Sequence, residues 1–270
     1  MGKKIPALII ATAILLGNLN AQKDVATTAK SKTNVFSGEN ASLSKGQFIT
    51  IQDAGGFGFR AFAAGPEDSK VGVLLIHDFF GITPATKEAV ERLGAEGYRT
   101  IAVDLYKGRS ARTNDSALLL MQSKDSAETA YILNAGIHFL KKPGRKLAAI
   151  GFSAGGIDAM KATLMEPELF RATIIVYGGG YDQIEQSKLD KLNNPVLAIT
   201  GSLDAWPLQA GINFLAREKD KSFEFFVYPQ ADHGYAQPFF NGGRNYNAES
   251  TRKTWMLMEE FLLQNTAKNP

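Results

Sequence analysis

Five consecutive residues have the types and spacing for nucleophilic catalysis: Gly151-Phe152-Ser153-Ala154-Gly155, set between the apolar run 146–150 and a stretch that reads as a helix. A serine held on a sharp strand-to-helix turn has little room around it, so the positions two before and two after must be small, and glycine fills both. The same turn puts the backbone N–H of Ala154 at a helix N-terminus, where it can stabilise an oxyanion forming beside Ser153. The five-residue pattern is short enough to arise by chance in a loop; the strand before it and the helix after it supply the context its chemistry needs.

A serine hydroxyl attacks only when a base takes its proton, and near neutral pH that base is usually histidine. The chain has three histidines. His138 falls within a helical pattern, where a partly buried structural role is expected. His77 ends a strand and precedes the nucleophile in sequence. His233, in Asp232-His233-Gly234-Tyr235 after the last strand, is the candidate base. A carboxylate must hold the imidazole in the correct tautomer. Between Ser153 and His233 the loop acids are Asp182, Asp190, Asp204, Asp220 and Asp232. Asp190 and Asp220 precede strands, and Asp232 adjoins His233 too closely. Asp204 follows a strand through Gly201-Ser202-Leu203, with Trp206 nearby to exclude water, and is the best placed; Asp182 is the fallback. The order Ser153, Asp204, His233 is that of α/β-hydrolases and differs from the orders in the chymotrypsin and subtilisin folds. The second oxyanion donor should come from the loop after the strand ending at His77, where the Phe79 N–H is the natural supplier.

The elements that must position these groups follow from hydrophobic patterning. Residues 47–52 alternate, meet Asp53-Ala54-Gly55-Gly56, and are followed by a second strand pattern over 57–64, which predicts a hairpin at one sheet edge. The run 70–77 is almost continuously apolar, as a strand buried on both faces requires. Further strands are expected at 98–103, 146–150, 172–177, 195–200 and 223–228. Helices are expected at 87–94, 116–121, 126–141, 159–165, 207–217 and 249–264. Such alternation predicts one mostly parallel sheet covered by helices on both faces, with ligands bound outside the carboxyl ends of the strands.

At the N-terminus, residues 1–21 have the three parts of a secretory signal: Lys3-Lys4, an apolar stretch over 5–16, and a polar end with cleavage expected after Ala21. The apolar stretch is shorter than the roughly 20 residues a membrane span needs, so export without stable membrane insertion is expected. Residues 22–46 read as a polar, flexible lead-in, and 47–270 as the domain. The formal charge of +3 falls to about +1 without Lys3 and Lys4, and no basic stripe interleaved with aromatics is present, which argues against a nucleic-acid partner. With no cysteine the chain has no disulfide, thiolate metal site or cysteine nucleophile. No metal or organic cofactor is implied, the expected partner is a small-molecule ester, and nothing in the sequence sets an oligomeric state.

Several stretches together resemble the dienelactone hydrolase family of α/β-hydrolases: Leu74 to Ile82 with His77-Asp78-Phe79-Phe80-Gly81, then Asp104-Leu105-Tyr106-Lys107-Gly108-Arg109, the Ser153 turn, Gly201-Ser202-Leu203-Asp204, and His233-Gly234-Tyr235. The resemblance implies an α/β-hydrolase fold over roughly residues 48–265. It places Ser153 at the nucleophile position, Asp204 at the acid, His233 at the base, and Phe79 and Ala154 at the oxyanion hole. Type members of the family carry cysteine as nucleophile and a glutamate where this chain has Asp78, so Ser153 points to ordinary ester hydrolysis. The same triad would also serve an acyltransferase, thioesterase or peptidase, and the scaffold could serve a non-catalytic binding protein. Asp78, Phe80, Tyr106, Arg109, Trp206 and Tyr235 are candidate substrate contacts, and Arg109 and Arg244 lie on loops that can reach a pocket mouth and hold an anionic substrate.

Overall fold

The computed structural model describes residues 45–52, 56–218 and 221–267. The leader expected over 1–21, most of the lead-in and the hairpin turn at 53–55 lie outside the described residues. Among the described residues, the strands are β1 (Gln47–Gln52), β2 (Gly58–Ala64), β3 (Val71–Ile76), β4 (Arg99–Val103), β5 (Lys146–Phe152), β6 (Phe170–Val176), β7 (Val196–Gly201) and β8 (Phe223–Tyr228). They form one sheet in the order β1-β2-β4-β3-β5-β6-β7-β8. β1 pairs antiparallel with β2 and β2 with β4; every other pairing is parallel. This is the expected α/β architecture with its N-terminal hairpin at one edge.

The helices among the described residues are α1 (Pro84–Ala95), α2 (Asn114–Gln122), α3 (Ser126–Leu140), α4 (Gly155–Met165), α5 (Gln186–Leu189), α6 (Ala205–Arg217) and α7 (Ala248–Ala267). Period-2 alternation in the buried strands assigns them to faces. Val73 and Leu75 of β3 pack with Ala89, Val90 and Leu93 of α1 and with Met258, Phe261 and Leu262 of α7. Leu74 and Ile76 face the other way, onto Ile132, Leu133 and Ile137 of α3 and Ala159 of α4. Side-chain caps fix where helices begin: Thr83 and Thr113 each form a capping box with the residue three positions on, and Asp125 accepts from the Glu128 N–H at 2.7 Å.

After β3 the chain passes to β4 on one side and then crosses to β5 on the other. The strand order therefore reverses at the carboxyl ends of β3 and β5, where an open α/β sheet forms its ligand crevice. Ser153 follows β5 and Phe79 follows β3, so both sit at that crevice.

Two helix starts and three short elements differ from the sequence reading for physical reasons. α4 begins at Gly155 rather than 159, because the serine turn runs directly into helix although its glycines have poor helix propensity. α1 begins at Pro84 rather than 87, proline being suited to a first helical turn. The short α5 and the 3₁₀ turns Tyr181–Gln183 and Phe240–Gly243 carry too little periodicity to be seen in the sequence.

Candidate active site

Ser153 sits at φ +51° between β5 and α4, a left-handed conformation costly for a residue with a Cβ. The surroundings enforce it. Its N–H donates to the Val176 carbonyl and its carbonyl accepts from the Gly156 N–H, both at 2.9 Å. Glycine is required on each side by close backbone approach. A Cβ on Gly151 would lie 2.2 Å from the Gly155 carbonyl oxygen, and one on Gly155 would lie 2.5 Å from the carbonyl oxygen of Ile76.

From this turn Ser153 Oγ reaches His233 Nε2 at 2.8 Å, and His233 Nδ1 reaches Asp204 Oδ2 at 2.7 Å. Asp204 precedes α6 and is largely buried. With the Nδ1–H donating to the carboxylate, Nε2 is left to accept the serine proton. The loop carrying His233 is held from three directions. Its N–H donates to Asp232 Oδ1 at 2.7 Å, its carbonyl accepts from Asn245 Nδ2 at 2.8 Å, and its ring lies between Tyr177 and Phe240, at 5.6 and 5.5 Å between centroids. Asp232 thus fixes the histidine loop, while the fallback Asp182 accepts from Asn213 at 2.9 Å on another element.

The loop after β3 is built around two buried polar residues. His77 Nε2 accepts from the Leu105 N–H at 3.3 Å, so its proton lies on Nδ1 and donates to the Asp78 carbonyl at 2.5 Å. Burial holds its pKa below the ordinary imidazole value, which keeps it neutral and makes it a framework residue. Asp78 Oδ1 accepts from the Phe80 N–H at 2.9 Å, and Oδ2 accepts from Gln237 Nε2 at 2.6 Å, tying the β3 loop to the histidine loop. Among the described residues, neither the Phe79 N–H nor the Ala154 N–H donates to a protein acceptor.

Burial pushes the Asp78 carboxyl up to about 6, against the hydrogen bonds from Phe80 and Gln237, which act to lower it. Its folded pKa therefore lies above the ordinary 3.8, and the folded state keeps the proton to higher pH than the unfolded chain does. The ionised form costs stability; the cost is absent below about pH 4 and complete above about pH 6. Two pKa units correspond to roughly 3 kcal/mol as an upper bound. Asp78→Asn keeps an acceptor for the Phe80 N–H and removes the charge. The expected result is a Tm several degrees above the parent at pH 8, with the gain disappearing toward pH 4 in thermal unfolding scans; a gain independent of pH would contradict this reading.

The other expected substrate contacts divide. Phe80 is buried, tilted against Phe79 with ring centroids 4.4 Å apart and near Phe240 at 6.1 Å, so these rings form one cluster beside the histidine. Tyr106 is buried against His77, with ring centroids 4.8 Å apart. Tyr235 is fully buried and its hydroxyl pairs with Thr254 Oγ1 at 2.6 Å, which makes it a packing residue. Trp206 is 55% exposed and its ring covers Gly179. Arg109 turns into its own loop: Nε donates to the Tyr106 carbonyl at 3.2 Å and Nη2 to Ser123 Oγ at 3.3 Å. Arg244 lines an open pocket of about 580 Å³ with Phe80 and Arg112. His138, expected to be partly buried, is exposed on α3. Gln237 and Tyr177, which touch the Asp78 and His233 side chains, carry no sequence motif.

Comparison with known proteins assigns the chain to a family. Residues 59–266 match the model of the dienelactone hydrolase family. The chain belongs to that family. As a dienelactone hydrolase family member it is an ester hydrolase. A Saccharolobus solfataricus protein named "Putative carboxymethylenebutenolidase" is 26% identical over 253 residues, spanning 78% of this chain and 95% of the relative. An Aquifex aeolicus protein of the same name is 29% identical over 228 residues, spanning 80% and 97%. Among solved structures, the dienelactone hydrolase from Anabaena variabilis superposes with a TM-score of 0.64 at 19% identity, covering 83% of this chain and 99% of its own. A dienelactone hydrolase-like promiscuous phosphotriesterase from metagenomic libraries gives 0.69 at 20% identity, covering 82% and 99%. At these identities the structures share the fold.

Proposed function

We propose that the chain hydrolyses carboxylic esters, lactones included, through an acyl-enzyme on Ser153. The observation that carries this reading is the continuous line from Ser153 Oγ through both nitrogens of His233 to Asp204, with steps of 2.8 and 2.7 Å. His233 Nε2 takes the hydroxyl proton as Oγ adds to the acyl carbon, and Asp204 stabilises the imidazolium formed. The negative oxygen of the tetrahedral intermediate is held by the N–H groups of Phe79 and Ala154. Collapse breaks the bond to the alcohol oxygen, which leaves with the proton from Nε2. Water then repeats the sequence: His233 takes its proton, the hydroxyl adds to the acyl carbon, and Ser153 departs with the proton restored, releasing the carboxylic acid.

Serine in place of the cysteine of type members, and Asp78 in place of their glutamate, favour simple esters over the dienelactone itself. A panel of aryl and alkyl esters of graded acyl length, with a lactone, a thioester and an amide, tests the reading. Ester and lactone turnover well above amide turnover is expected. Exclusive formation of a new ester from an added alcohol would instead identify an acyltransferase. For location, the three-part pattern of residues 1–21 supports export to the periplasm or medium. N-terminal sequencing of the secreted protein is expected to begin at Gln22.

A further inference from the structure

Beneath the catalytic layer, a cavity of about 120 Å³ runs between α1 and α7, with Asp78, Phe152, Tyr177 and Gln237 at its inner end and Arg92 and Trp255 toward solvent. Nothing in the mechanism above uses it, and its inner end presents an anomaly. The hydroxyl of Tyr177 is buried, and no described protein group hydrogen-bonds it. A buried polar group left without a partner is rare and costs stability comparable to a lost hydrogen bond, so its partner needs explaining.

Tyr177 cannot turn to find one. Its backbone is held at φ +40°, its N–H donates to the Ile199 carbonyl at 2.7 Å, and its ring is enclosed by Phe152, His233 and Tyr235, with centroids at 6.1, 5.6 and 5.3 Å. Burial raises its pKa well above 10, with the Asp78 charge acting in the same direction, so the hydroxyl keeps its proton and is a donor. The Asp78 carboxylate accepts two hydrogen bonds, from Phe80 and Gln237, and two oxygens have capacity for more. Tyr177, whose hydroxyl is a donor, and Asp78, an acceptor, both line this one cavity. A single water needs only about 10–15 Å³ of such volume and two to four polar partners, so there is space for several.

We propose that this cavity is an internal water site joining Tyr177 Oη to the Asp78 carboxyl. Tyr177 is thereby a positioning residue that holds the β3 loop, and with it the Phe79 N–H, in place under the substrate groove. The positioning half rests on the proposed oxyanion role of Phe79. The water half does not. Ordered waters that bridge two protein groups serve nearly as well as a direct hydrogen bond, which is why one can set the position of a loop.

The test is Tyr177→Phe, with Ala85→Leu as a second variant that occupies the cavity without altering Tyr177. In a high-resolution crystal structure the parent is expected to show water within hydrogen-bond distance of Tyr177 Oη and Asp78, and Tyr177→Phe to lose it. Tm should fall by roughly 2–4 °C, since the hydroxyl was satisfied. With an activated ester, kcat should fall about tenfold with KM unchanged, and a double-mutant cycle with Asp78→Asn should be non-additive in kcat. Ala85→Leu should lower kcat in the same way. Serine labelling by a fluorophosphonate is expected to persist in both variants, which separates failure here from failure of the proposed mechanism. A dry cavity with Tyr177→Phe at least as stable as the parent, or an unchanged kcat in both variants, would overturn the proposal.

Discussion

Ser153→Ala is expected to lower kcat/KM for an activated ester by at least about 10³-fold, while the protein unfolds within a few degrees of the parent. The rate loss follows from removing the atom placed to form the acyl-enzyme: Oγ stands 2.8 Å from His233 Nε2. Residual hydrolysis would come from the Phe79 and Ala154 N–H groups and from binding alone. The stability outcome follows from the turn. Alanine carries the same Cβ at φ +51° that serine does, so the backbone strain is unchanged, and what is lost is one partly buried hydrogen bond. Activity assays paired with thermal unfolding read both halves. Residual activity above one-tenth of the parent, in a folded variant, would contradict the assignment.

Asp204→Asn is expected to cost between about 10² and 10⁴ in kcat with little change in KM. An asparagine amide donates toward Nδ1, which moves the imidazole proton to Nε2. That nitrogen then offers a proton to Ser153 where it should accept one. Geometry survives and chemistry fails, so the folded structure and Tm should stay close to the parent. The same experiment discriminates between carboxylates. Asp182, which accepts from Asn213 at 2.9 Å on a separate element, should change kcat/KM less than about twofold when replaced by asparagine. If the Asp182 variant were the impaired one, the chosen acid would be wrong.

The placement of Ser153, Asp204 and His233 was legible because one topological rule does most of the work. In a parallel sheet the residues after each strand share one edge, so strand ends read from apolar runs bring β5, β7 and the loop after β8 together without knowledge of any contact. The loop after β3 was legible for the same reason. What the sequence did not carry depends on side-chain direction. Arg109 follows a strand and so lies at the correct edge, yet its guanidinium folds back onto the Tyr106 carbonyl, and no spacing rule foretells a rotamer. Gln237 joins Asp78 across 159 positions of sequence, and such a pairing has no local signature. The Tyr177 hydroxyl, which no described protein group hydrogen-bonds, emerges only from the packing of three rings around it. The helical pattern around His138 leads to the expectation of partial burial, but the helix turns it to solvent.

The most direct measurement of the central claim is mass spectrometry of the intact protein and its peptides after a fluorophosphonate probe. A nucleophile activated by His233 should carry one adduct, on the peptide containing Ser153, formed in the parent and absent from His233→Ala at the same exposure. An adduct on another residue, or active protein that hydrolyses esters without any adduct, would contradict the serine assignment.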